Sequence, residues 1–555
     1  MSLSARSGEE LLHYVDVPEN ATFRPKLRSL AHPLRVGIDV GGTNTDAVLM
    51  GGRRVLAEAK APTTADVTGG IGNALRSLLC HAAVEPGDVQ AVMIGTTHFT
   101  NAVIEAKNLL PTAAVRLGLP ATQGLPPMVD WPQRLRQSLG GHVYLCHGGH
   151  EFDGRELSPL NADELRRVAA DIASKGLRSI AICSVFSPVN DECEQQAAEI
   201  LAAELPGVAI SRSHEIGRVG LLERENATII NACLRDLATR IVDALRAALA
   251  QLRITAPVWL SQNDGTLMSV EAAQRYPVAT FACGPTNSMR GAAFLSGLRD
   301  CAVVDIGGTT TDVGMLRHGF PRQASVAVEI GGVRTNFRMP AVYSFGLGGG
   351  SLVRDRAELA IGPDSVGYEL TSRALVFGGD TVTATDVAVA GGLAVIGDPG
   401  GVAGLDPDLV RRGLDRIEEA IAEAVDRMKM TAEPVPVVVV GGGSILLGER
   451  LPGASELIKP DHFAVANAVG AGIAQVGGEV DRIFSLQHHS RAQVLEQAKQ
   501  EAADRAVAAG AIRASVQVID VEDVPLTYLP GNATRVRIKV VGDLECEGDD
   551  GAARR

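Results

Sequence analysis

Arg35-Val36-Gly37-Ile38-Asp39-Val40-Gly41-Gly42-Thr43-Asn44-Thr45-Asp46-Ala47-Val48-Leu49-Met50 decides how this chain is read, because its scheme returns at Cys301-Ala302-Val303-Val304-Asp305-Ile306-Gly307-Gly308-Thr309-Thr310-Thr311-Asp312-Val313-Gly314-Met315-Leu316. Each copy runs apolar strand, Asp, apolar residue, Gly-Gly-Thr, polar-Thr-Asp, apolar strand. Two copies so far apart predict two similar half-molecules. Apolar runs flanking a Gly pair predict a β-hairpin whose turn a side chain would obstruct. The short loop offers backbone N–H groups and Thr hydroxyls, the donors that a chain of phosphates needs. An Asp beside them suits a divalent cation held through water. One copy alone reads equally well as an ordinary Asp-Gly turn; the repetition favours the ligand-binding reading.

Outward from these hairpins, composition sets the frame. At 555 residues, with 46% hydrophobic and 21% charged residues, the chain is globular and long enough for two or three domains. Its net charge of −13 argues against non-specific nucleic-acid binding while leaving room for a cationic pocket for phosphates. The eight cysteines are scattered without a Cys-x-x-Cys pair, which predicts reduced thiols in a cytoplasmic protein rather than a disulfide frame or zinc site. Residues 1–33 lack an apolar core and read as an N-terminal extension, not a secretory signal. No apolar run is long enough to span a membrane.

Between and beyond the hairpins the pattern alternates strands and helices, the signature of layered α/β lobes. The strand ending at Ile94 gives way to Gly95-Thr96-Thr97-His98-Phe99-Thr100-Asn101, which opens a helix. A polar loop there suits an anion or a polarised carbonyl, and it also reads as plain capping. Asn263 and Asp264 follow a second strand in the same way. His142, His147, His150, Glu151 and Asp153 carry metal-ligand types at a spacing that matches no closed motif, and solvated loop histidines are the simpler reading. Apolar spacing predicts a long helix from about Leu221 to Leu252, in which an ordinary ion pair accounts for Arg224 and Glu225. The strand Val435 to Val440 ends in Gly441-Gly442-Gly443-Ser444. Leu446 stands where a dinucleotide fingerprint needs its third glycine, so an adenosine-side loop is favoured over a Rossmann turn. Residues 486–545 predict a small α+β appendage, and 546–555 a frayed tail.

Taken in order, the paired hairpins and the late Gly-Gly-Gly loop resemble the phosphate and adenosine motifs of the actin, sugar-kinase and heat-shock-chaperone superfamily. Ile94 to Ala102, Leu222 to Ala232, Asn263 to Met268, Cys283-Gly284-Pro285 and Gly346 to Ser351 further resemble the hydantoinase A/5-oxoprolinase family, which includes acetone carboxylase β subunits. The resemblance runs from about Arg35 to Asp481. Two departures stand out: Asn44 where many members carry an aromatic residue, and Thr286-Asn287-Ser288 in place of a more Ala/Gly-rich run.

The resemblance implies an α/β fold of two ribonuclease H-like lobes, 34–215 and 216–485, with an ATP cleft between them. It implies ATP- and Mg²⁺-dependent phosphorylation of a carbonyl oxygen on a small cyclic amide of hydantoin, lactam or 5-oxoproline type, followed by ring opening. A small-molecule kinase, or the phosphorylating subunit of a ketone carboxylase, is the alternative; a nucleotide-driven protein clamp ranks last. Gly41, Gly42, Thr43, Asn44 and Thr45 are then expected on one side of the phosphates, and Gly307, Gly308, Thr309, Thr310 and Thr311 on the other. Gly441, Gly442, Gly443 and Ser444 are expected at the adenosine. Asp39 and Asp305 are the expected catalytic and metal-holding carboxylates. Asp312 is a further candidate for the metal, and Asp46 and Asp312 equally suit bonding of their own turns. Thr96, Thr97, His98, Asn101, Asn263 and Asp264 are the substrate candidates, with His98 able to polarise a carbonyl or shuttle a proton. A second hydantoinase-like subunit and a homo-oligomer are expected; nucleic acid and membrane are not.

Overall fold

The computed structural model describes residues 33–42, 44–64, 67–324, 328–337, 339–355, 358–487, 489–526 and 532–545. The expected extension (except residue 33), Thr43 and the expected tail lie outside the described residues. Both motif copies form antiparallel hairpins. In the first, Leu34–Val40 pairs with Asn44–Gly51 and sets Asp39 opposite Asp46; in the second, Cys301–Ile306 pairs with Thr311–Arg317 and sets Asp305 opposite Asp312. Each turn closes with the same bond: the Gly41 N–H donates to Asn44 O at 3.0 Å, and the Gly307 N–H donates to Thr310 O at 2.9 Å.

The repetition extends to whole sheets. Strands Arg54–Pro62, Asn44–Gly51, Leu34–Val40, Val89–Thr96 and Val258–Ser261 lie side by side in a nine-stranded sheet. Phe320–Pro321, Thr311–Arg317, Cys301–Ile306, Val435–Val440 and Ala454–Ile458 take the same places in a six-stranded one. In both runs the first two junctions are antiparallel and the last two parallel. The architecture is therefore mixed α/β with an internal duplication. Near-continuous burial along Leu34–Val40 and Cys301–Ile306 fits strands covered on both faces, which is why they read as unbroken apolar runs.

The nine-stranded sheet continues through Thr266–Ser269, Gln475–Phe484 and Thr534–Gly542 to Gln517–Pro525. It thus takes strands from both sides of the 215/216 boundary expected from sequence. The stretch expected as an appendage supplies the last two strands at one end of it. The cause is non-local: Gln475–Phe484 and Thr534–Gly542 pair along nine positions, and Val536, Ile538 and Val540 are buried with Val494, Ala498, Ala502 and Ala506 of helix Arg491–Ala508.

A separate parallel sheet orders His142–His147, Thr112–Leu119, Ser179–Ser184 and Ala209–Arg212, so His142 and His147, read from sequence as loop histidines, lie at the two ends of a strand. The long helix spans Leu221–Gln251. Its Glu225 pairs with buried Arg116, while Arg224 donates to Ser184 O and Ser213 Oγ; the two neighbours do not pair with each other. Among the described residues no helix is long and apolar enough to cross a membrane.

Two helices, Cys283–Ser296 and Ala466–Gly472, cross beside the hairpins at backbone contact. A Cβ on Gly291 would lie 1.9 Å from Ala466 O, and one on Gly470 would lie 1.9 Å from Asn287 O. Only glycine permits this approach. The crossing brings side chains of both helices to the hairpin carboxylates.

Candidate functional site

Asp39 is buried at the end of its strand, and both its oxygens are held by amides. Asn287 Nδ2 donates to Oδ1 at 3.3 Å and Asn467 Nδ2 to Oδ2 at 3.1 Å; the same Asn467 nitrogen reaches Asp46 Oδ2 at 3.0 Å. Lys60 lies 2.7 Å from Asp46 and neutralises it. In the second half Ser288 hydrogen-bonds Asp305, and Ser344 donates to Asp312. Successive residues of one helix thus hold carboxylates from the two hairpins.

Electrostatics ties the halves together. Burial, then repulsion from Asp46, pushes the Asp39 carboxyl up to about 6. Burial pushes Asp305 up to about 7 against the Ser288 hydrogen bond, with Asp312, Asp39 and Asp46 adding repulsion. Asp312 is raised as well, by burial. A cluster of carboxylates in which, among the described residues, only Asp46 has a cationic partner favours a cation.

Each carboxylate also has a glycine beside it on the neighbouring parallel strand or its end. A Cβ on Gly95 would lie 2.5 Å from Asp39 Oδ1, and one on Gly441 would lie 2.3 Å from Asp305 Oδ1. The glycines at both strand ends are thus required by the carboxylates they adjoin.

Gly42 and Thr310 are exposed at the turn tips, and Gly41, Asn44, Gly307, Gly308 and Thr309 are partly exposed. Thr45 and Thr311 differ from expectation. Both are fully buried, the Thr45 hydroxyl against Thr63 Oγ1 at 3.3 Å and the Thr311 hydroxyl donating to Leu347 O at 2.7 Å, so neither hydroxyl is open to a phosphate. Ser444 is likewise buried and donates to Gly441 O at 2.7 Å, leaving Gly442 as the exposed residue of its loop. That loop continues as the short 3-10 turn Gly442–Leu446, not the long helix a Rossmann site requires. The Gly346 to Ser351 stretch buttresses the second turn: the N–H groups of Gly349 and Gly350 donate to Gly307 O and Gly308 O at 3.0 and 2.7 Å.

The substrate candidates divide. Thr96, Thr97 and His98 adjoin the first hairpin: Thr97 Oγ1 donates to Val40 O at 3.4 Å, and Thr96 Oγ1 lies 2.6 Å from His98 Nδ1. Burial lowers the His98 pKa, which favours the neutral imidazole that a proton acceptor needs. Asn101 is exposed on helix His98–Glu105. Asn263 and Asp264 line a different cavity, on the far side of the Cys283–Ser296 helix, and Asp264 is engaged by Lys539 at 2.9 Å. In the histidine cluster, His147 Nδ1 lies 3.2 Å from Glu164 and His150 is buried.

Among the described residues no three His, Cys, Asp or Glu side chains are grouped to hold a metal ion. Asp39, Asp305 and Asp312 therefore do not form an all-protein metal cage. Asn287, Ser288 and Asn467 were not singled out from sequence as site residues. The available signal was polar side chains among the small residues of two helix starts.

Two family models match, both described as hydantoinase/oxoprolinase: the N-terminal region at residues 35–205 and the main region at 224–435. The chain belongs to the hydantoinase/oxoprolinase family. Within this family it is 27% identical over 471 residues to the caprolactamase subunit alpha of Pseudomonas jessenii, covering 79% of this chain and 65% of that one. It is 24% identical over 491 residues to the acetophenone carboxylase gamma subunit of Aromatoleum aromaticum, covering 80% of this chain and 64% of that one. The chain thus spans just under two-thirds of the length of these curated relatives. Its fold matches the crystal structure of the ATP-dependent caprolactamase from Pseudomonas jessenii with a TM-score of 0.73 at 19% identity, covering 92% and 88% of the two chains.

Proposed function

We propose that this hydantoinase/oxoprolinase family member uses ATP and Mg²⁺ to phosphorylate the carbonyl oxygen of a small cyclic amide before ring opening. The observation that carries the reading is the meeting of two matching hairpin ends, Asp39 and Asp305, on adjacent residues of one helix. In this reading the two repeated sheets are ribonuclease H-like lobes with ATP between them. The lobes follow the sheets, and 486–545 belongs to the first of them. The turns at Gly41 to Asn44 and Gly307 to Thr310 take the phosphates through backbone N–H groups, and Gly442 borders the adenosine. Asp39, Asp305 and Asp312 hold the hydrated Mg²⁺, which neutralises phosphate charge.

The γ-phosphoryl group passes to the amide oxygen as its bond to ADP breaks, and the amide proton leaves to His98. A water adds to the carbon and the C–N bond opens as nitrogen takes a proton. A second water releases phosphate from the acyl phosphate. Positioning and charge neutralisation supply most of the acceleration. A relative named as a carboxylase subunit favours a second reading, in which a ketone enolate oxygen is phosphorylated and handed to a carboxylating partner. The relatives' names as subunits support a second, hydantoinase-like subunit and assembly into an oligomer. Seven described cysteines, all unpaired, support a cytoplasmic location.

The test is ADP release from purified protein with ATP and Mg²⁺ against a panel of lactams, hydantoins and ketones, with and without a partner subunit. Stimulation by a lactam with appearance of the amino acid supports amide hydrolysis; stimulation by ketones alone supports the second reading. No stimulation across the panel overturns both.

A further inference from the structure

A cavity of about 580 Å³ lies beside the Gln475–Phe484 strand, and its lining includes the apolar Met268, Val278 and Phe337 and the polar Arg218, Asn263 and Asp481. Four of the five acids of its lining are matched by arginine or lysine, and the fifth, Asp191, lies 3.3 Å from His214. Asp481 takes Arg535 through two bonds of 2.8 and 2.6 Å, Glu479 takes Arg537 at 3.0 Å, Asp264 takes Lys539 at 2.9 Å, and Glu215 takes Arg275 at 2.9 Å. Arg218 is the exception. Its Nε is sealed from solvent with no hydrogen-bond partner, and the carboxylate nearest it, Asp481, stands off at 3.8 Å and is already held by Arg535. Burial lowers its pKa to about 10, and Arg537 and Arg535 crowd it with like charge.

From this geometry we infer a binding site for a small organic monocarboxylate, its carboxylate on the Arg218 guanidinium and its carbon body against Met268, Val278 and Phe337. A partly buried guanidinium whose Nε has no acceptor is anion-seeking, and its planar fork matches a carboxylate. With Asp481, Glu479 and Asp264 already paired, Arg218 supplies one unmatched positive charge, which suits a monoanion better than a dianion such as phosphate. The apolar wall requires carbon, and the volume lies in the range of small-molecule sites. The site is separate from the carboxylate cleft. Thr286 Oγ1 donates to Asn263 O at 3.0 Å from one side of the helix whose next residues, Asn287 and Ser288, hold Asp39 and Asp305. It therefore stands or falls independently of the proposed reaction.

The experiment titrates the full chain, without nucleotide, with hexanoate, with hexanamide as its neutral counterpart, and with inorganic phosphate. Calorimetry and the arginine Nε–H resonances, that of Arg218 being located by its loss in Arg218→Lys, report binding. Hexanoate is expected to saturate and to shift the Arg218 resonance, hexanamide and phosphate to leave it unmoved, and Arg218→Gln to weaken hexanoate at least about tenfold without lowering the melting temperature. Absence of saturable hexanoate binding to the wild type overturns the site, as does equal binding by a folded Arg218→Gln. Tighter binding of phosphate than of hexanoate overturns the carboxylate assignment. Should Arg218→Gln not fold, the hexanoate and hexanamide comparison on the wild type decides.

Discussion

Asn287 Nδ2 lies 3.3 Å from Asp39 Oδ1 although 248 positions separate them, and the next residue of the helix, Ser288, bonds Asp305. One turn of helix therefore fixes where the carboxylates of both motif copies stand. Any displacement of that turn is felt at both, so the site is vulnerable at positions that carry no charge themselves.

Asp305→Asn tests the second carboxylate. Its carboxyl is pushed up to about 7, so the ionised form is disfavoured in the folded protein and its charge costs stability at pH 8. The amide removes that charge and keeps the shape. Substrate-stimulated ADP release should fall at least about 100-fold, while the nucleotide-free protein at pH 8 melts at or above the wild-type temperature in scanning fluorimetry. Wild-type turnover would remove Asp305 from the mechanism, and a much lower melting temperature would mean that its role is structural.

Gly95→Ala and Gly441→Ala should behave alike despite lying in different halves. Each new Cβ would meet a carboxylate oxygen, at 2.5 Å from Asp39 and 2.3 Å from Asp305, and Gly441 also has φ +86°. Displacing either carboxylate is expected to cost about 1–3 kcal/mol in urea unfolding, together with loss of ADP release. Gly442→Ala is the stability control, because nothing lies within 4 Å of its Cβ position. Equal urea midpoints for all three variants would contradict the packing argument.

The hairpins were legible in sequence because both determinants of their geometry are local: apolar runs and a Gly pair at the turn. The late strand Val435–Val440 was legible for the same reason. Thr45 and Thr311 were misjudged as open donors because the partners that bury them, Thr63 and Leu347, come from elsewhere in the chain. Asn467 escaped notice because its significance exists only where two helices cross at glycine contacts, and periodicity identifies a helix without saying what its polar positions meet. The strands Gln517–Pro525 and Thr534–Gly542 looked like an appendage because they pair with each other locally and join the sheet only through Thr534–Gly542, whose other partner, Gln475–Phe484, lies far back in the chain.

The Asp264 and Lys539 pair predicts an acid limb of stability. Burial alone would raise the Asp264 carboxyl, but the Lys539 ammonium 2.9 Å away and bonds from Thr266 outweigh it and hold it down to about 2. A depressed carboxyl stabilises the fold above its unfolded value near 4 and loses that contribution as pH falls toward about 2, roughly 2 kcal/mol in all. Lys539→Met leaves a buried carboxylate unpaired and should cost about 3–5 kcal/mol at pH 7. Urea unfolding between pH 7 and 3 measures both, and an unchanged midpoint in the variant would show that the pair contributes nothing.

Asn467→Asp offers the most discriminating test of the cluster. The native amide donates to Asp39 and Asp46 through one nitrogen, at 3.1 and 3.0 Å; the substitution replaces that donor with a third carboxylate facing two others. At pH 8 the variant should be destabilised by about 2 kcal/mol or more. The added charge raises the carboxyl pKa values of the folded state further, and Asp39 already stands at about 6. The folded protein then binds more protons than the unfolded chain between pH 8 and 6, so stability must rise as pH falls through that window. Mg²⁺ should restore stability at pH 8 in the same protein, because it supplies the missing positive charge. Urea midpoints at pH 8, pH 6 and pH 8 with Mg²⁺ separate the possibilities: loss that neither acid nor Mg²⁺ reverses would mean that Asn467 serves the helix crossing rather than the carboxylates.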